Sequence, residues 1–125
     1  MEEVDAVAGR GLVGDRYFHR RPNHNGQVTL IDGGVIDQLG TVFDRQDLFP
    51  GLLRRNLVVR GVVLADLLKR SFRIGDAICY GAVECLPCHW MDRAVGIGAK
   101  DYMMKDFRGG LRCKILQSGT IRIGL

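Results

Sequence analysis

Apolar positions along this chain come in short blocks punctuated by glycine. Leu111, Cys113 and Ile115 alternate with the basic Arg112 and Lys114, and Ile121-Arg122-Ile123 resumes the alternation after Gly119. A period of two puts successive side chains on opposite faces, so both runs predict half-buried strands. Residues 27–31 (QVTLI) predict another strand by their β-branched content. Residues 57–59, 62–64, 72–74 and 77–85 extend the series, with breaks at Gly61, Gly75 and Gly81. Pro87 takes the chain out of the last of these, because proline has no N–H for a ladder. Helical spacing is scarcer. Val35, Ile36 and Leu39 fit one short helix ended by Gly40, and residues 92–107 fit a second helical stretch in two pieces around Gly96 and Gly98. Many short strands joined by glycine turns predict a mainly β domain.

Length and composition narrow this picture. A chain of 125 residues has the size of a single domain and buries a core without disulfide staples. Hydrophobic residues at 46% and charged residues at 26% exclude a disordered or collagen-like chain. Glycine, at 17 residues against 3 prolines, is the main turn former. Eighteen basic and 14 acidic residues leave a net charge of +4. That suits an anionic small ligand or a weak nucleic-acid surface. No run is long and apolar enough to predict a membrane-spanning helix, and the acidic start at Glu2 and Glu3 is unlike a signal peptide. A cytoplasmic, reducing location is therefore expected, with Cys79, Cys85, Cys88 and Cys113 as thiols rather than disulfides.

Candidate chemistry concentrates at Cys85-Leu86-Pro87-Cys88. A structural zinc site lacks its second ligand pair. A redox CxxC lacks the βαβ context it needs. The third reading is a single reactive thiol. Cys85 continues the alternation of the preceding strand and points inward, whereas Cys88 lies past the strand end, where an activated thiol would be exposed. Cys79 and Cys113 read as small buried side chains. A thiolate is stabilised by nearby positive charge, and three basic pairs are available: Arg16 with Arg20, Arg54 with Arg55, and Arg112 with Lys114. Arg108-Gly109-Gly110 has the composition of an anion-binding turn. The glycines at positions 9, 11 and 14 do not form a dinucleotide fingerprint, because no long strand precedes them and no amphipathic helix follows. His19 and His24 share a loop without metal-ligand spacing. Trp90 reads as a packing residue that could also cover a flat heterocycle.

Taken together in order, GRGLVGDRYF (9–18), QVTLID (27–32), RRNLVVRGVVLADLL (54–68), FRIGDA (72–77), CLPC (85–88), GGLRCKIL (109–116) and GTIRIG (119–124) resemble the MOSC domain, named after the C-terminal part of molybdenum-cofactor sulfurases. The resemblance implies a MOSC-type, pyruvate-kinase-barrel-like β-barrel with a few short helices, formed by residues 1–125 as one domain. It implies binding of the molybdenum cofactor (molybdopterin) or carriage of sulfur, with Cys88 holding persulfide or ligating molybdenum. Arg16, Arg54 or Arg55, and Arg112 would neutralise an oxyanion or the pterin phosphate, with Asn56 beside them. Gly14, Asp15, Asn56, Gly109 and Gly110 would shape the pocket walls. A sulfur donor or acceptor protein would be the partner. Some relatives also reduce N-hydroxylated compounds. The chain has no room for a pyridoxal-phosphate domain, so that cofactor is not expected.

The resemblance also implies one more strand ahead of residues 9–14, which the chain is expected to lack. The barrel edge this leaves would be covered by a partner chain, such as a second copy in a homodimer, or by a rearranged terminus. The rival reading is a non-enzymatic module for an anionic partner such as single-stranded nucleic acid. It draws on the +4 charge and the basic loop 16–24, but aromatic residues, at 7%, are too few for a stacking platform.

Overall fold

A computed structural model describes residues 2–9, 11–13, 27–49, 52–55 and 57–123. In chain order the elements are β1 (Glu2–Val7), β2 (Gly11–Leu12), β3 (Val28–Asp32), α1 (Gly33–Val42), β4 (Leu57–Val59), a 3-10 turn (Leu64–Leu67), β5 (Ser71–Ile74), β6 (Ala77–Glu84), α2 (Trp90–Ala94), α3 (Ala99–Met103), β7 (Leu111–Gln117) and β8 (Gly119–Ile123). One sheet has the order β2-β1-β8 and a five-stranded sheet has the order β4-β3-β7-β6-β5. The chain is mainly β with a few short helices, as its patterning predicts. By contact density it divides into two compact units.

The first unit comprises Met1–Val28, Asp66–Val83 and Arg112–Leu125. β1 runs antiparallel to β8 with Val4 opposite Ile121, and to β2 with Ala6 opposite Leu12. Patterning assigns no strand to residues 2–7, so β1 corrects the expectation that nothing extended precedes the glycine loop. Its partner strand β8 lies at the other end of the sequence, and local propensity carries no trace of such pairing. β5 and β6 form a hairpin with Phe72 opposite Cys79. β6 continues through Gly81 rather than breaking there. Gly81 donates to the Arg70 carbonyl at 3.0 Å and accepts from the Lys69 N–H at 2.6 Å, so a neighbouring segment holds it in register. Buried Gln27 accepts a hydrogen bond from the Ile115 N–H at 2.9 Å. A buried side-chain amide needs such a partner.

The second unit comprises Thr29–Ala65 and Glu84–Leu111. β3 pairs in parallel with β4, Leu30 opposite Leu57. The Asp32 carboxylate caps α1 by accepting from the Gly34 N–H at 2.8 Å. α1 runs past Gly40, and the Gly40 carbonyl then accepts from the Arg45 N–H at 2.8 Å. A methyl group at Gly40 would press on the Arg45 carbonyl oxygen at 2.7 Å, so this glycine serves a close approach rather than a stop. The core joins Ile31, Val35 and Leu39 to Leu53, Met91, Ala94, Val95, Ala99 and Met103. Both halves of the expected helical stretch are present, as α2 and α3.

Residues 62–64 are not a strand. Gly61, at φ +76°, turns the chain away from β4; Val62 and Val63 are exposed, and Leu64 opens the 3-10 turn. β-branched side chains favour a pleated surface only where a ladder partner exists.

Candidate functional site

The second unit contains Cys85, Cys88, Arg54, Arg55, Trp90 and the turn 107–110. β6 ends at Glu84, and the next residue carries the chain inward. Cys85 is 1% exposed, and its N–H donates to the Gly110 carbonyl at 2.8 Å. Leu86 is exposed, Pro87 is buried and Cys88 is exposed. The Cys88 carbonyl accepts from the Met91 N–H at 3.0 Å, which ties the cysteine to the first turn of α2. Met91 is buried in the apolar cluster, so the segment is anchored on both sides of the thiol.

Arg55 explains how the 85–88 segment is held. It is 7% exposed, and its guanidinium donates to three carbonyls: Gly109 from Nε at 2.7 Å, Leu53 at 3.0 Å and Cys85 at 3.4 Å. It therefore bridges the 85–88 segment and the 107–110 turn. The two backbones lie so close that a Cβ on Gly109 would collide with the Cys85 carbonyl oxygen. Gly110, at φ +102°, would likewise drive a Cβ into the Leu30 carbonyl. The double glycine serves close packing here.

Arg54 faces the other way. Its φ is +58°, a conformation few non-glycine residues adopt. Leu53 and Arg55 on either side are buried while Arg54 is exposed. The Arg54 guanidinium carbon lies 4.3 Å from the Trp90 ring centroid, and the indole N–H donates to the Leu52 carbonyl at 2.7 Å. Trp90 is thus fastened to the turn that presents Arg54. Adjacent arginines of identical type have opposite placements, and nothing in the sequence separates them.

Arg112 lies exposed on β7 in the first unit. Arg16, Asn56, Gly14, Asp15, His19 and His24 fall outside the described residues. Among the described residues, no three His, Cys, Asp or Glu side chains gather as a metal cage. No helix among them is long and apolar enough to cross a membrane.

None of the four cysteines is in a disulfide; Cys79, Cys85 and Cys113 are buried and Cys88 is exposed. Burial pushes the Cys79 thiol up from 9.0 to about 11. The unfolded chain releases that proton near its ordinary value and the folded chain retains it, so this thiol stabilises the fold below pH 9. Its contribution is lost as pH rises toward 11. Native protein treated with iodoacetamide at neutral pH is expected to gain one label, on Cys88. Denatured protein is expected to gain four. Peptide mass mapping checks this, and early labelling of Cys85 would contradict the burial described.

A model of the MOSC domain family matches residues 15–125. The chain belongs to the MOSC domain family. MOSC domains are associated with molybdenum-cofactor systems. This MOSC domain is similar in fold to the YuaD protein of Bacillus subtilis, with a TM-score of 0.76 and 17% identity over 97% of this chain and 80% of that one. Its similarity to YiiM of Geobacillus stearothermophilus gives a TM-score of 0.74 and 14% identity, covering 98% of this chain and 57% of that one. A hypothetical protein gives 0.78 and 15% identity, covering 96% and 57%. The MOSC domain thus spans little more than half the length of the last two. At these identities the likeness is one of fold. No curated protein matches the chain.

Proposed function

We propose that this MOSC domain binds the molybdenum cofactor or carries sulfur, with Cys88 as the group that ligates molybdenum or holds a persulfide. The observation that supports this reading is the exposure of Cys88 alone among four thiols, on a segment fixed from behind by Arg55 and Gly109. The donor set fits such a group. A molybdopterin brings its own dithiolene sulfurs and asks for one soft protein ligand, which an exposed thiolate supplies. Arg54, exposed beside Trp90, offers charge to a phosphate or oxyanion, and guanidinium suits such groups because its fork binds two oxygens. Arg55 acts behind the segment as a positioning residue. In sulfur carriage, the Cys88 thiolate attacks the outer sulfur of a donor persulfide. The new S–S bond forms as the donor's breaks, and the donor leaves as a thiolate.

Wild type and Cys88→Ala, each purified from cells making the cofactor, separate the outcomes. Molybdenum and pterin are expected to remain with the wild type and to fall at least tenfold in the variant if Cys88 is the ligand. An adduct of roughly 32 Da on Cys88, removed by reductant, is expected if it carries sulfur. Equal retention in both proteins with no adduct would sink the role of Cys88.

A further inference from the structure

We propose that one face of the β5-β6-β7 sheet, the face that carries Arg73, Arg112 and Lys114, docks a partner protein presenting an acidic segment interspersed with apolar residues. The inference goes beyond the cofactor or sulfur role and does not depend on Cys88.

Strand parity defines the face, and all of it lies in the first unit. Ala77, Cys79 and Gly81 of β6 are buried, as are Cys113 and Ile115 of β7. The alternate residues stand on the opposite side of the sheet. There Arg73 of β5 is opposite Ile78 and Ser71 is opposite Tyr80, with Arg112, Lys114 and Leu116 following on β7, the other neighbour of β6. Arg73, Arg112 and Leu116 are exposed, and Ile78, Tyr80 and Lys114 are half-buried. Strands lie about 4.8 Å apart, so Arg73 and the β7 cations flank the Ile78–Tyr80 strip at about 10 Å from each other. Lys69 and Arg70, both exposed, run beside Gly81, the residue after Tyr80: the Lys69 N–H donates to the Gly81 carbonyl and the Gly81 N–H to the Arg70 carbonyl.

The partner's charge follows from what these cations lack. Arg45, Arg60 and Arg108 of the second unit are each paired with a carboxylate. Among the described residues, Lys69, Arg70, Arg73, Arg112 and Lys114 have no such pair. Like charges gathered on one face repel, and an anionic partner relieves that repulsion. A second copy of the chain does not fit, since it would set cations against cations. The apolar strip favours protein over nucleic acid. Base stacking uses several aromatic rings, and this strip has Tyr80 alone, with aliphatic Ile78 and Leu116 around it. An apolar centre with a tyrosine and a rim of arginine is the composition of a protein interface.

Fluorescence anisotropy on the full chain tests this with a labelled synthetic peptide of glutamates interspersed with leucines. Binding is expected at low salt, with affinity falling as added salt shortens the screening length. Arg73→Glu and Arg112→Glu are each expected to weaken it about fivefold, because reversal removes one exposed ion pair and adds a repulsion. Leu116→Ser is expected to weaken it about threefold at low and high salt alike, since apolar contact is not screened. Arg93→Glu makes the same change of net charge on α2, in the second unit, and is expected to alter the affinity by less than about twofold. The far-UV circular dichroism of each variant reports whether it is folded. No binding of the peptide at low salt overturns the proposal. So does an equal loss in Arg93→Glu, since net charge rather than this face would then attract the peptide. Polyglutamate that binds as tightly as the leucine-bearing peptide overturns it as well, by removing the apolar strip from the interface. Tighter binding of oligothymidylate, lost in the same variants, would assign the face to nucleic acid instead. The experiment uses no cofactor and leaves Cys88 intact, so its failure and that of the proposed function are distinct.

Discussion

Arg55→Ala is expected to lower the stability of the domain by about 3 kcal/mol, measured as a shift of the urea midpoint at unchanged slope. The carbonyls of Gly109, Leu53 and Cys85 accept from this guanidinium, which is itself 7% exposed. Removing the donor leaves these oxygens facing a hole, and each desolvated, unpaired acceptor costs on the order of 1–3 kcal/mol. Partial entry of water reduces the sum, which is why the total is set near the value for one strong and one weak bond. Arg55→Lys is expected to recover less than half of the loss. An ammonium carries three donors around a point, whereas these carbonyls are reached by a planar fork from Nε and both terminal nitrogens. The loss should be local as well as global. Cys85 is expected to become alkylated in native Arg55→Ala, because its carbonyl is one of the released acceptors. A variant as stable as wild type, with Cys85 still protected, would show that Arg55 does not hold the segment.

The contrast between Arg54 and Arg55 marks where sequence stops informing. The two side chains are identical and adjacent, and both are reasonable anion ligands by type. What separates them is a positive φ at position 54, which puts one outside on Trp90 and one inside on three carbonyls. A backbone angle of this kind at a non-glycine residue has no compositional signal. The cysteines were easier to place. Cys85 has the inward parity of Ala77 and Cys79 on β6, although Val83 of the same parity is exposed, and Pro87 lies just before the exposed Cys88. β7 and β8 are legible because apolar and basic residues alternate over residues 111–115 and 121–123. β1 was not, since its order comes from β2 and β8, one of them more than a hundred residues away. The glycines at 109 and 110 were legible as special residues. Their reason, contact with the backbones of Cys85 and Leu30, needed the fold.

Gly109→Ala is expected to cost about 3 kcal/mol and to displace the 85–88 segment. Its backbone is not in the left-handed region, so the penalty is one of space. The added methyl would collide with the Cys85 carbonyl oxygen and sit 3.1 Å from the Pro87 ring. Neither obstacle is the end of a flexible side chain, so relief requires the two segments to separate. Separation weakens the bond from the Cys85 N–H to the Gly110 carbonyl at 2.8 Å and the bond from Arg55 to the Gly109 carbonyl at 2.7 Å. Against this, alanine stiffens the unfolded chain and returns about 0.4–1 kcal/mol. The net effect remains clearly destabilising, and urea denaturation measures it. Pro87→Ala in the same background discriminates between the two obstacles. Little recovery is expected, because the carbonyl of Cys85 is the nearer one and stays in place. Full recovery would identify the proline ring as the obstacle. Wild-type stability in Gly109→Ala itself would mean that the backbones do not approach as closely as described, and the rigid seat this gives to Cys88 would fall with it.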